Sequence, residues 1–144
     1  MNFSDLNKKI ENIIELSIEL AKMDYSDPKY DKLEDKIHDL QDAINDDYGD
    51  DFDVILDEIY DKFNIQDETM FLADYIGSKY KELPENKFGK QFEIDINSAA
   101  LVEIDSPKLA NKKINAAVYI HPNPLSLIMN INGLERIMWS APNE

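Results

Sequence analysis

At 144 residues, with 43% hydrophobic and 31% charged side chains, the chain has the length and balance of one globular domain, which excludes a fibrous or intrinsically disordered class. No cysteine is present, so disulfide frameworks, thiolate zinc sites, iron-sulfur clusters and cysteine nucleophiles are excluded. The formal net charge of −15 repels nucleic acid, and the lone arginine, Arg136, offers no phosphate-binding patch.

The first residues, Met1 to Lys9, place lysines after polar residues rather than before an apolar stretch, unlike an export signal. The longest apolar run, Ala116 to Ile120, is far short of the roughly 20 residues of a membrane helix. A cytoplasmic protein without a membrane segment is the expectation.

Phe3, Leu6, Ile10, Ile13, Ile14 and Leu20 recur at spacings of three and four, which predicts an amphipathic helix from Ser4 to about Lys22, with Ser4 as its N-cap. Ser26 and Asp27 supply candidate caps before Pro28, and Tyr30, Leu33, Ile37, Leu40 and Ile44 continue as a second helix. Gly49 reads as its stop. Asp50 or Asp51 then caps a third helix, whose Phe52, Ile55, Leu56, Ile59, Tyr60 and Phe63 form one face before Asn64 ends it. A fourth helix, Asp67 to about Lys81, would bury Phe71, Leu72, Tyr75, Ile76 and Tyr80, with Gly77 costing about 1 kcal/mol relative to alanine.

After Leu83-Pro84-Glu85-Asn86-Lys87 the apolar period changes to two. Phe92, Ile94 and Ile96 define a first strand, Ala100, Val102 and Ile104 a second, and Ile114, Ala116, Val118 and Ile120 a third. Ser106-Pro107 and His121-Pro122-Asn123-Pro124 punctuate them, because proline cannot donate to a ladder. Two readings of the C-terminal stretch stay open. Asn132-Gly133 suits a type I′ hairpin between Leu125–Ile131 and Leu134–Trp139, whereas Leu125, Ile128 and Ile131 also fit a helix begun at Asn123-Pro124.

The expected fold is therefore α+β, a single domain over residues 1–144. A layer of about four helices (1–82) precedes a mostly antiparallel sheet of four to five strands (88–139). The charge follows that division. Residues 1–82 hold 23 acids against 9 lysines, a net of −14, and residues 83–144 hold 7 acids against 6 bases, a net of −1. On the second helix Lys32 and Lys36 offset Asp35 and Asp39. From Asp50 through Asp61 no basic residue intervenes before Lys62, and Asp53, Asp57 and Asp61 form an uncompensated stripe.

The expected function is a non-enzymatic acidic domain that binds a basic protein, of the inhibitor or immunity type that neutralises a nucleic-acid-acting partner. The candidate partner-binding residues are Asp46, Asp47, Tyr48, Asp50, Asp51, Asp53, Asp57 and Asp61, with Tyr48 as an aromatic anchor rimmed by charge. Carboxylates one helical turn apart imitate a row of phosphates in sign and spacing. One alternative is a regulatory or scaffold domain that binds through its sheet surface. The other is a small-ligand module or enzyme with a cleft near His121.

No catalytic residue, cofactor or metal site is assigned. The histidines His38 and His121 have no evident sequence partner, and no nucleophile elbow, phosphate loop or H-E-x-x-H pair occurs. If Gly49 held the sixth position of an EF-hand loop, Ile44 and Ile55 would fall at its first and twelfth positions, where neither can ligate calcium. Oligomeric state is not legible.

Overall fold

The structure, a computed structural model, describes residues 1–106 and 112–142. Among the described residues two helices, α1 (Phe3–Ala21) and α2 (Tyr30–Lys62), precede six strands. The strands are β1 (Tyr80–Asn86), β2 (Gly89–Ile94), β3 (Ala100–Ser106), β4 (Lys112–His121), β5 (Ser126–Ile131) and β6 (Leu134–Ser140). All pairings are antiparallel. β1 and β2 form a two-stranded sheet, and β3-β4-β5-β6 form a four-stranded one. The α+β expectation holds in this form, with two helices instead of about four.

Helix α1 buries the stripe Leu6, Ile10, Ile13 and Ile14, each contributing about 2 kcal/mol by leaving water. Its N-cap is Asn2 rather than Ser4, since the Asn2 side chain accepts from the Asp5 N–H at 3.0 Å. Asp27 accepts from the Lys29 N–H at 2.9 Å in the turn before α2, whose own N-cap position, Lys29, has no side-chain cap.

The predicted break at Gly49 does not occur. Ile44, Phe52 and Leu56 are all buried, and their spacings of eight and four keep one stripe on the core only if the helix continues. Burying Phe52 alone stabilises by about 1.5–3 kcal/mol. That exceeds the roughly 1 kcal/mol that glycine costs inside a helix.

The fourth helix is replaced by a single 3-10 turn, Leu72–Tyr75, and an extended approach to β1. Asn64 takes a left-handed conformation (φ 57), which turns the chain so that Ile65 bridges Ile104 on the edge of β3. Tyr75 then reaches back to α2, its hydroxyl 2.5 Å from that of Tyr60, and Ala73 donates to Asn45 at 2.8 Å. Gly77 lies against β2. A Cβ there would sit 2.5 Å from Ile94 Cδ1 and 2.8 Å from Ser98 Oγ, so the glycine serves close approach.

The sheet layer begins earlier than expected, at Tyr80, and Pro84 lies within β1. The β1–β2 register shifts between Leu83 and Asn86, the irregular edge position that proline tolerates. Ile96, expected in a strand with Phe92 and Ile94, instead starts a 3-10 turn, Ile96–Ser98, capped by Asp95. Pro107, read as punctuation, lies outside the described residues.

The C-terminal stretch is the hairpin of β5 and β6. Asn132 (φ 52) and Gly133 (φ 89) supply the two positive φ angles of its turn. On one face of the larger sheet, Val102, Val118, Ile120, Leu127, Met129 and Met138 join the helices in the core. Trp139 packs against Phe3 and Phe52, with ring centroids 5.5 and 5.3 Å apart. The other face carries the cross-strand row Tyr119, Ile128 and Ile137.

Candidate functional site

The continuity of α2 reorganises its acidic surface. Asp35, Asp39, Asp42, Asp46, Asp50, Asp53, Asp57 and Asp61 are all exposed and follow spacings of 4-3-4-4-3-4-4 on one unbroken helix. Such spacing makes a single ridge, about 39 Å long at 1.5 Å rise per residue. Lys32 and Lys36 flank only its first two members. Among the described residues no ridge aspartate makes an ion pair.

Of the residues singled out from sequence, Asp46, Asp50, Asp53, Asp57 and Asp61 share this ridge. Asp47 and Asp51 are exposed but rotated about 100° from Asp46 and Asp50, as immediate helical neighbours must be. Asp47 faces α1, with its carboxylate 3.8 Å from the Lys9 ammonium. Tyr48 is half-buried between the helices. Its hydroxyl donates to the Asp5 carboxylate, and Lys9 Nζ lies 5.5 Å from its ring centroid. That hydrogen bond, reinforced by Lys9, holds the Asp5 carboxyl below its ordinary range.

Asp35, Asp39 and Asp42 were outside the sequence-based set because reading Gly49 as a stop divides the ridge in two. Reading the spacing through Gly49 would have included them. The turn after α2 adds further acids. Asp57 and Asp61 line a recess of about 820 Å³ together with Asp67 and Glu68, which lie beyond the end of α2 and join them through the left-handed turn at Asn64. Asp67 also accepts from the Glu103 N–H at 2.8 Å, fastening this turn to β3. No group of three or more histidine, aspartate or glutamate side chains is arranged to hold a metal ion among the described residues.

His121 does border a groove, of about 690 Å³, between β2 and the outward face of β5 and β6. Its Nε2 lies 2.8 Å from the Phe92 carbonyl oxygen, a bond that pins β4 to β2. Nearby, Tyr119 donates to Glu135 at 3.0 Å, and burial pushes the tyrosine hydroxyl far above its ordinary pKa. Among the described residues every buried side-chain nitrogen and oxygen has a partner, so no unsatisfied group is aimed into this groove. His38 is exposed on α2.

No helix among the described residues is long and apolar enough to cross a membrane. Comparison with known proteins finds no family model, no curated protein and no solved structure that matches the chain.

Proposed function

We propose that the protein is a non-enzymatic acidic binding domain that docks a basic partner protein along α2, acting as an inhibitor or immunity-type neutraliser of a nucleic-acid-acting protein. The observation that carries this reading is the exposed ridge of eight aspartates on one continuous helix. Like charges at i, i+4 each destabilise a helix by about 0.2–0.5 kcal/mol, so an unpaired ridge of this length works against the fold that bears it. A basic cleft would remove that repulsion on docking. Adjacent carboxylates about 5–6 Å apart also present the sign and rough spacing of a phosphate backbone to such a cleft.

The test is affinity capture from the native cells at low and high salt, with the wild-type chain and with Asp53, Asp57 and Asp61 all replaced by lysine. The reading expects a basic partner retained by the wild type at low salt, released at high salt and absent with the variant. A partner held equally by both chains at both salts would refute it.

A further inference from the structure

The core-facing side of α2 changes character toward its N-terminal end. Glu34 and Gln41 stand eighteen residues before Phe52 and Ile59, about five turns at 3.6 residues per turn, and so share their helical face. Phe52 and Ile59 are buried in the core, whereas Glu34 and Gln41 are only half-buried. They border a cavity of about 460 Å³ between the end of α1, the first turns of α2 and the segment from Ile76 to Lys79 that leads into β1.

The most buried hydrophobic side chains of this cavity, Ile37 and Ile76, are joined by Leu20 and Met23 from the end of α1 and the turn after it. Tyr25 and Tyr30 line it as a ring pair, with centroids 4.9 Å apart. Its charged groups are one carboxylate, Glu34 on α2, and one ammonium, Lys79 on the other segment, with His38 the only further titratable side chain besides the tyrosines. Among the described residues Glu34 and Lys79 make no ion pair, with each other or with any other group, and the side chains of Glu34, Gln41 and Ser78 make no hydrogen bond. A half-buried carboxylate without a partner works against the fold. In a helical layer of net charge −14, one charge of each sign also leaves this cavity locally balanced.

We propose that the cavity binds a small zwitterion with an apolar side chain, an α-amino acid. Its ammonium would donate to Glu34 and to the amide oxygen of Gln41, and its carboxylate would accept from Lys79 and the Ser78 hydroxyl. Ile37, Ile76 and the tyrosine rings would take the side chain. A purely apolar ligand would leave both charges unpaired, and a simple cation or anion would meet one charge of its own sign. The volume falls within the range of about 300–1,000 Å³ usual for small-molecule sites. The cavity is separate from the aspartate ridge, because Glu34 and Asp35 are about 100° apart on the helix, and its occupancy does not depend on a basic partner.

The experiment titrates the full chain, isotope-labelled, with L-phenylalanine, with its cationic amide and with anionic N-acetyl-L-phenylalanine, at constant ionic strength. L-Phenylalanine is expected to shift the amide signals of Tyr30 to Gln41 and Ile76 to Lys79, with a dissociation constant below about 1 mM and at least about tenfold tighter than either derivative. Glu34→Gln should abolish the preference over the N-acetyl derivative, and Lys79→Gln the preference over the amide, while circular dichroism stays unchanged. Equal binding of all three compounds would overturn the proposal by identifying an apolar cleft alone. Tightest binding of the amide would overturn it by identifying only the negative field of the helical layer. No saturable shift up to about 10 mM, or preferences that survive both substitutions, would overturn it as well.

Discussion

Asn7 on α1 and Asn123 in the turn between β4 and β5 hold each other reciprocally. Asn7 Nδ2 donates to Asn123 Oδ1, and the Asn123 N–H donates to Asn7 Oδ1, both at 2.8 Å. Asn123 Nδ2 also donates to Glu11 at 3.0 Å and to the Lys90 carbonyl at 2.8 Å, and Gln91 Nε2 donates to the Asn123 carbonyl at 2.7 Å. One buried asparagine thereby joins α1, the small sheet and the large sheet.

Asn123→Ala should lower stability by about 2–4 kcal/mol, because it leaves buried donors and acceptors unsatisfied and keeps a left-handed backbone (φ 60) without asparagine's tolerance for it. Urea unfolding followed by tryptophan fluorescence measures this. A loss below about 1 kcal/mol would mean that the network contributes little.

Gly49 and Gly77 should respond to alanine with opposite signs. Gly49 is helical, and a Cβ there meets nothing within 4 Å, so Gly49→Ala is expected to stabilise by about 0.5–1 kcal/mol. Gly77→Ala drives a Cβ into Ile94 and Ser98 and should destabilise by about 1–3 kcal/mol. Thermal unfolding of the two variants tests both signs.

Tyr60 and Tyr75 should set an alkaline limit on stability. Burial raises the pKa of both hydroxyls, and for Tyr60 the bond to Tyr75 adds to that rise. A raised folded-state pKa means that this stabilisation is complete below the unfolded tyrosine value of about 10 and declines as pH rises above it. Urea midpoints should therefore fall on the alkaline side of that value. Tyr60→Phe should flatten the decline, and an unchanged alkaline slope in that variant would count against the pair.

These glycine and tyrosine positions also mark how far the sequence could be read. Core stripes around Leu6, Ile37 and Phe52, and the hairpin turn at Asn132-Gly133, were legible because local period and turn chemistry agree with the fold. Gly49 was misread because a local stop signal competed with burial on both sides of it. Strand β1 was missed because its residues are almost all exposed, so no alternation shows. The acidic residues were legible one by one, but their union into a ridge depends on helix continuity. The recess with Asp67 and Glu68 depends on a left-handed turn that no periodic pattern announces.

The aspartate ridge makes a further prediction, about stability rather than binding. Replacing Asp53, Asp57 and Asp61 with lysine keeps like charges one turn apart but lowers the net charge from −15 to −9, sets opposite charges three residues after Asp50 and Glu58, and substitutes a better helix former. The triple variant should be more stable by about 0.5–1.5 kcal/mol. Chemical denaturation checks this, and a destabilised variant would show that the carboxylates have structural partners.

The most direct test of the account is the association rate of the captured partner with the wild-type chain and with this triple variant, across a series of salt concentrations. The account predicts fast wild-type association that slows steeply with added salt, and a variant that associates slowly with little salt dependence. Equal rates and equal salt slopes for the two chains would contradict it, leaving the ridge as a solvated helix face.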